Sequence, residues 1–306
     1  MRKKQTIVLT GATGFVGSAV LKQIIKDGNN PIILTRTISN LDRIKDIKGY
    51  RSFTYETLKN KNLVAAIKAY KPRTLIHLAW HGVAGDDRNQ LFQVTDNIPL
   101  TQSTVKFAHE VGCSQWVGIG SRSEYGDPNR KTDELFPTNP VTVYGKVKLA
   151  CCWSGLGLCQ FYGMIGSWLR LFGIYGPGQD PNWLIPYVIR EMFKGKPPSL
   201  TKCKQSADYV YIDDAAKGIL SVAYYQTPGI FNLGSGKATQ LKKIVERLRK
   251  LINPRLQPNY GAIEYNTHQA MYAQADIRKI KCASGWIPVV ELNEGIEKTV
   301  YWFKAS

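Results

Sequence analysis

Acidic residues are scarce in this chain: 23 aspartates and glutamates stand against 41 lysines and arginines, a formal net charge of +18. Such a balance disfavours acidic surfaces and favours anionic partners. The basic residues are spread along the chain rather than massed in a tail or one helix, which argues against nucleic acid. A phosphate-rich cofactor or a nucleotide ligand profits from the same field. No apolar run approaches the ~20 residues that a bilayer-spanning helix needs, so no membrane role is expected. Met1-Arg2-Lys3-Lys4 and the apolar stretch behind it have the outline of a secretion signal. That stretch is interrupted by glycines at spacing three and lacks a small-residue cleavage site, so no signal is expected. No segment is of low complexity and nothing repeats, which excludes solenoids and propellers. The six cysteines (Cys113, Cys151, Cys152, Cys159, Cys203 and Cys282) include no C-x-x-C pair, and the adjacent Cys151 and Cys152 cannot clamp a metal together with any nearby histidine. They read as reduced thiols in a cytoplasmic protein, with no metal site.

With 306 residues and 43% apolar content, the chain has length for one large domain or two closely joined ones. Short apolar strands alternate with helical stretches, the pattern of an α/β fold with a doubly wound parallel sheet of the Rossmann type. Thr6-Ile7-Val8-Leu9 is short, apolar and β-branched, and reads as the first buried strand. It runs into Thr10-Gly11-Ala12-Thr13-Gly14-Phe15-Val16-Gly17 and then a helix to about Asp27. Gly11 permits the tight turn, Gly14 lets backbone approach a pyrophosphate, and Gly17 lets helix and strand pack closely. The helix N-terminus then faces the anion.

The second strand, Pro31–Arg36, ends where such a fold selects its cofactor. A carboxylate there would bind the ribose 2′-hydroxyl of NAD; this chain has Thr35 and Arg36 instead. A guanidinium can bind a 2′-phosphate bidentately, so NADP(H) is expected, with a mere strand cap as the alternative for Arg36. Thr74–Trp80 is a further buried strand in which His77 reads as a packed residue. His81 lies just past its carboxyl end, where ligands bind in these sheets. Tyr144 and Lys148, four apart on a helix, share one face. A free phenol titrates near ~10, and an ammonium beside it stabilises the phenolate, so the pair suits proton transfer at neutral pH.

These motifs resemble those of the extended short-chain dehydrogenases/reductases, the NAD-dependent epimerase/dehydratase family. The likeness covers nearly the whole chain: the G-x-x-G-x-x-G turn, Ser121-Arg122-Ser123-Glu124-Tyr125-Gly126, Tyr144-x-x-x-Lys148, Gly173-Ile174-Tyr175-Gly176-Pro177, Gln205–Asp214 and Gly285-Trp286. The resemblance implies Ser121 as the hydroxyl that orients the substrate oxygen, Tyr144 as the proton donor, and Lys148 as the group that tunes the tyrosine and holds the nicotinamide ribose. It implies a cofactor site of Gly11, Ala12, Thr13, Gly14, Phe15, Val16, Gly17, Thr35, Arg36, Leu78, Ala79, Tyr144, Lys148 and Phe172, with Asn97 shaping the cleft. Trp80, His81, Ser123, Gly173, Trp183, Leu184 and Gln205 would face the substrate. By the same likeness, residues 1–172 and 207–235 form the Rossmann domain, 173–206 and 236–306 form a smaller α/β substrate lobe, and two copies pair into a homodimer.

Two positions depart from the family pattern. Gly173 stands where an asparagine is usual, and Ala207 where an arginine binds the diphosphate, unless Lys202, Lys204 or Arg278 takes over. Family dehydratases carry an Asp-Glu pair after the catalytic hydroxyl, and this chain has Arg122 and Ser123. With Arg36 favouring NADPH, the expected activity is reduction of the C4 carbonyl of a nucleotide-linked 4-keto-6-deoxy sugar, a step toward surface polysaccharide. The chain most resembles the 4-ketoreductases that make abequose and fucose nucleotides. An NAD-retaining nucleotide-sugar 4-epimerase and a non-catalytic cofactor-binding scaffold are the alternatives.

Overall fold

The computed structural model describes residues 4–83, 85–265 and 269–305. Seven strands build one sheet: β1 (Thr6–Thr10), β2 (Asn30–Thr35), β3 (Arg51–Thr54), β4 (Thr74–His77), β5 (Gln115–Ser121), β7 (Ile165–Leu171) and β11 (Gly229–Leu233). They lie in the order β11-β7-β5-β4-β1-β2-β3, every neighbour parallel. The chain leaves β1 toward β2 and β3 on one side, and then crosses to β4, β5, β7 and β11 on the other. The switch point between β1 and β4 opens a crevice at their carboxyl ends.

Side chains alternate across this sheet. Ile7 and Leu9 of β1 and Ile76 of β4 pack beneath Val20, Leu21 and Ile24 of α1 (Phe15–Lys26) and Ile219 and Leu220 of α6 (Ile212–Tyr225), with Ile280 of α8 (Arg278–Ser284). Val8 and Leu75 face the opposite way. There they meet Leu63 and Ile67 of α2 (Lys61–Lys68), Val105 of α3 (Phe92–Glu110) and Val147 and Cys151 of α4 (Val143–Phe161). Both faces are therefore dry, which is why these strands read as unbroken apolar runs rather than alternating ones.

A second sheet runs β12-β10-β14-β6, with β8 (Gly173–Tyr175) paired to β10 (Ser206–Tyr211). Its other members are β6 (Lys131–Thr132), β12 (Ala238–Gln240) and β14 (Tyr272–Ala275). The short strands β9 (Ser199–Leu200) and β13 (Asn259–Tyr260) pair beside it. Three amphipathic helices, α5 (Leu184–Phe193), α7 (Leu241–Ile252) and α9 (Leu292–Ala305), bury Ile185, Ile189, Ile244, Leu248 and Ile296 against Tyr175 and Tyr211. Strand β10 thus belongs to the second sheet, whereas α6 and β11, which follow it directly, return to the first. The doubly wound parallel sheet and smaller α/β lobe agree with the sequence pattern.

Candidate active site

The glycine turn is shaped by close approach. Gly11 has φ +71°, and a Cβ there would lie 2.4 Å from the Ala79 nitrogen. A Cβ on Gly17 would lie 2.0 Å from the Gly11 carbonyl oxygen, so the first turn of α1 rests directly on the loop. Gly14 is the N-cap of α1 and supplies no side-chain cap, which leaves the first helical N–H groups facing the crevice. Uncapped donors, a positive dipole end and a cradle that any Cβ would fill are what a dinucleotide's pyrophosphate requires. The turn is braced from β4: Leu78 N donates to Thr10 O at 3.2 Å, and Ala79 N to Thr10 Oγ1 at 3.4 Å. His77 is buried between Thr10 Oγ1 (2.8 Å) and Thr101 Oγ1 (3.3 Å), and burial, aided by Lys148, pulls it down to about 3. It is a neutral strut of the sheet.

Beside the turn, Thr13, Gly14, Thr35, Arg36, Leu78 and Ala79 line a recess of about 170 Å³ together with Ser39 and Tyr55. Thr35 is buried, whereas Arg36 is exposed.

A larger cavity of about 480 Å³ extends from Gly11, Phe15 and Val16, past Ser121, Tyr144, Lys148 and Phe172, to Trp183 and Leu184. The catalytic trio expected from sequence converges on it. Ser121 ends β5, and its Oγ caps the one-turn helix Arg122–Tyr125 while its hydroxyl acts on the neighbouring Tyr144 phenol. Thr142 Oγ1 caps α4 by accepting from Gly145 N at 3.1 Å, which fixes the turn that presents Tyr144. Burial holds the Tyr144 phenol above its ordinary value, opposed by the Ser121 hydrogen bond and the guanidiniums of Arg88 and Arg122. Lys148 Nζ donates to Ile119 O at 2.7 Å, with the Trp80 ring centroid 3.4 Å off and the Tyr144 ring centroid 5.8 Å off. Burial brings its ammonium down to about 7. Trp80 also meets Tyr144 edge-on at 5.9 Å, so this indole braces both members of the pair.

Behind the trio lies a buried ion pair. Glu124, fully buried, accepts from Ser121 N (2.9 Å), Trp168 Nε1 (3.0 Å) and Arg170 Nε (2.8 Å). It is committed to holding β5 and β7 in place and is no free acid. In front, two arginines with no role in the sequence reading reach the cavity. Arg88 lies over the Tyr144 ring at 4.7 Å and donates from Nη2 to Ser123 Oγ at 2.5 Å. Arg122 follows Ser121, and burial together with the Arg88 charge lowers its affinity for its proton. No motif marked either one: Arg88 sits in a loop turn, and Arg122 is legible only as a departure from the dehydratase pattern.

Residues 7–234 match the NAD dependent epimerase/dehydratase family. The chain belongs to that family. It is 26% identical over 312 residues to a UDP-glucuronate 4-epimerase of Thermodesulfobacterium geofontis, covering 98% of this chain and 96% of that one. Among solved structures, MoeE5 in complex with UDP-glucose and NAD is 24% identical with a TM-score of 0.84, covering 98% of this chain and 99% of that one. The UDP-glucose 4-epimerase of Thermus thermophilus, complexed with NAD, is 22% identical with a TM-score of 0.83, covering 99% and 100%.

These relatives correct the cofactor expectation. Both solved structures hold NAD rather than NADP. The inference from Arg36 rested on residue type alone: Arg36 lines the recess but is exposed, so water competes for its guanidinium. A cation left in bulk water keeps its own hydration and does not require a phosphate partner.

Of the departures from the family pattern, Gly173 has a structural explanation. Gly173 pairs with Tyr209 across β8 and β10, and a Cβ there would lie 2.6 Å from Asp208 O. The strand pairing leaves no room for the usual asparagine. Ala207 lies within β10, and none of Lys202, Lys204 and Arg278 lines the cavity. Arg278 is held instead by Asp276 at 2.7 Å. The cations at the cavity are Arg43, Arg88, Arg122 and Lys148.

Of the residues expected to face substrate, Trp80, Ser123, Gly173, Trp183 and Leu184 line the cavity, and His81 and Gln205 do not. The His81 imidazole is bound to Asp96 at 2.9 Å and stacked on Phe92, while Gln205 is buried beside Thr201. Asn97 clamps the backbone of residue 81, accepting from His81 N (2.8 Å) and donating to His81 O (3.0 Å).

Proposed function

We propose that this protein interconverts the C4 epimers of a nucleotide-linked hexose and retains its NAD through the cycle. The observation that carries the reading is the convergence of Ser121, Tyr144 and Lys148 on one cavity that is continuous with the glycine turn. Gly11, Gly14 and Gly17, the N-terminus of α1, Thr35 and Lys148 would hold NAD, which when bound supplies reversible hydride acceptance at the sugar carbon. The protein's own part is the proton. Tyr144, in the phenolate form that Arg88 and Arg122 favour against burial, takes it from the C4 hydroxyl to become the phenol and then returns it to the same oxygen, while Ser121 orients that oxygen by a hydrogen bond.

Dehydration is disfavoured because Arg122 and Ser123 occupy the acid positions and Glu124 is locked to Arg170. The 4-ketoreductase reading loses its main argument with the correction from NADP(H) to NAD. Incubation of the purified protein with UDP-, dTDP-, CDP- or GDP-linked hexoses, with no cofactor added, is expected to interconvert the C4 epimers of one series by NMR. A reductase would instead consume added reduced nicotinamide in proportion to product. Failure to change any nucleotide sugar at C4 would reject both.

A further inference from the structure

We infer that Arg88 and Arg122 form a carboxylate clamp at the sugar end of the cavity, so that the hexose acted on at C4 carries an acid at C6. The substrate class is then a nucleotide-linked hexuronate. This rests on the nucleotide-sugar reading above.

Both guanidiniums line the cavity together with Ser121 and Tyr144. Among the described residues neither forms an ion pair with a carboxylate, although twelve other such pairs are present there. Arg88 Nε is buried and has no hydrogen-bond partner. Cations brought together at a partly desolvated wall repel each other, and the arrangement is favourable only when an anion joins them. The position of Arg88 is built rather than incidental. Its Nη2 is anchored on Ser123, and its turn is tied to α4 by Asn89 Oδ1 accepting from Val143 N at 3.1 Å. Buried Gln93 adds a bond from Nε2 to Asp87 O at 3.0 Å.

Location selects the sugar over the diphosphate. Arg122 adjoins Ser121 in sequence and Arg88 covers the Tyr144 ring, the two groups that meet the C4 oxygen. A C6 carboxylate is two carbon–carbon bonds from C4, within the reach of both forks. Among the described residues the one carboxylate lining the cavity is Asp180, two residues beyond Gly178, whose carbonyl oxygen accepts from Arg43 Nη2 at 3.1 Å. A 6-deoxy sugar would set a methyl group against two cations, and an uncharged hydroxymethyl would leave Arg88 without a counter-ion and Arg122 with only the more distant Asp127.

The test is titration calorimetry of the purified, NAD-containing protein with UDP, UDP-glucose and UDP-glucuronate, on wild type, Arg88→Met, Arg122→Met and Arg122→Lys. Charge-assisted bidentate contacts predict that UDP-glucuronate binds at least roughly 10-fold tighter than UDP-glucose. Each methionine variant should erase most of that ratio while changing UDP affinity by less than about 3-fold. Arg122→Lys, which keeps the charge but loses the fork, should fall between. Equal affinity for the two sugars overturns the proposal and leaves the nucleotide-sugar reading intact. So does a parallel loss of UDP affinity in the variants, which would assign the arginines to the diphosphate. If none of the three ligands binds, both readings fall together.

Discussion

The cofactor end and the sugar end of the same cavity are built in opposite ways. At the cofactor end, one strand, one turn and one helix contiguous in the chain (β1, residues 11–14 and α1) supply the cradle, and its geometry follows from glycines a few residues apart. At the sugar end, Arg88, Ser121, Tyr144, Gly173 and Trp183 come from five separate segments. A change at the first end should therefore act on cofactor retention, and a change at the second on sugar discrimination. The seam between them, Ser121–Tyr144–Lys148, should carry turnover itself.

The largest expected effect tests that seam. Tyr144→Phe removes the proton carrier and keeps the ring under Arg88, so turnover should fall about 1,000-fold while bound NAD stays at the wild-type level. Loss of cofactor from this variant, read by nucleotide release and chromatography, would show that the two ends are not separable. Next is the support of Ser121. Glu124→Ala leaves Arg170 buried without its partner and should cost about 3–5 kcal/mol in urea unfolding. A loss below about 1 kcal/mol would mean that the pair contributes little to holding β5 against β7.

Smaller again is the sugar-end strand. Gly173→Asn restores the side chain usual in the family but drives a Cβ toward Asp208 O, and should destabilise by about 2 kcal/mol. An asparagine tolerated without cost would show that β8 can move away from β10. The smallest effect lies under the cofactor end. His77 titrates near 3 in the fold against 6.5 in the unfolded chain, so its contribution is complete above pH 6.5 and is lost as pH falls toward 3. Between pH 6.5 and 5 that amounts to about 2 kcal/mol at most, and His77→Gln should flatten this part of the stability curve. An unchanged curve in the variant would place the acid sensitivity elsewhere.

The difference between the two ends also explains what could be read from the sequence. The strand–turn–helix at residues 6–26, the apolar runs of the parallel sheet and the four-residue spacing of Tyr144 and Lys148 are local patterns, and each was legible. Arg36 was visible and misleading, because its type was read without its solvation. The tuning of Tyr144 was sought in Lys148, its neighbour on the helix. Yet the cations that act on the phenol are Arg88 and Arg122, from two short helical turns elsewhere in the chain, while the Lys148 ammonium donates to Ile119 O. His81 stood at the right end of its strand, but Asp96 and Phe92 hold its ring away from the cavity.

By itself the sequence determined the fold class, the glycine turn and the shared helix face of Tyr144 and Lys148, because backbone sterics at glycine and helical periodicity act over a few residues. Only the tertiary structure decided which charges share the cavity, which motif side chains are spent on internal support, and that Gly173 is enforced by the neighbouring strand. Those outcomes depend on distances between segments far apart in the chain, set by the packing of two sheets and their helices.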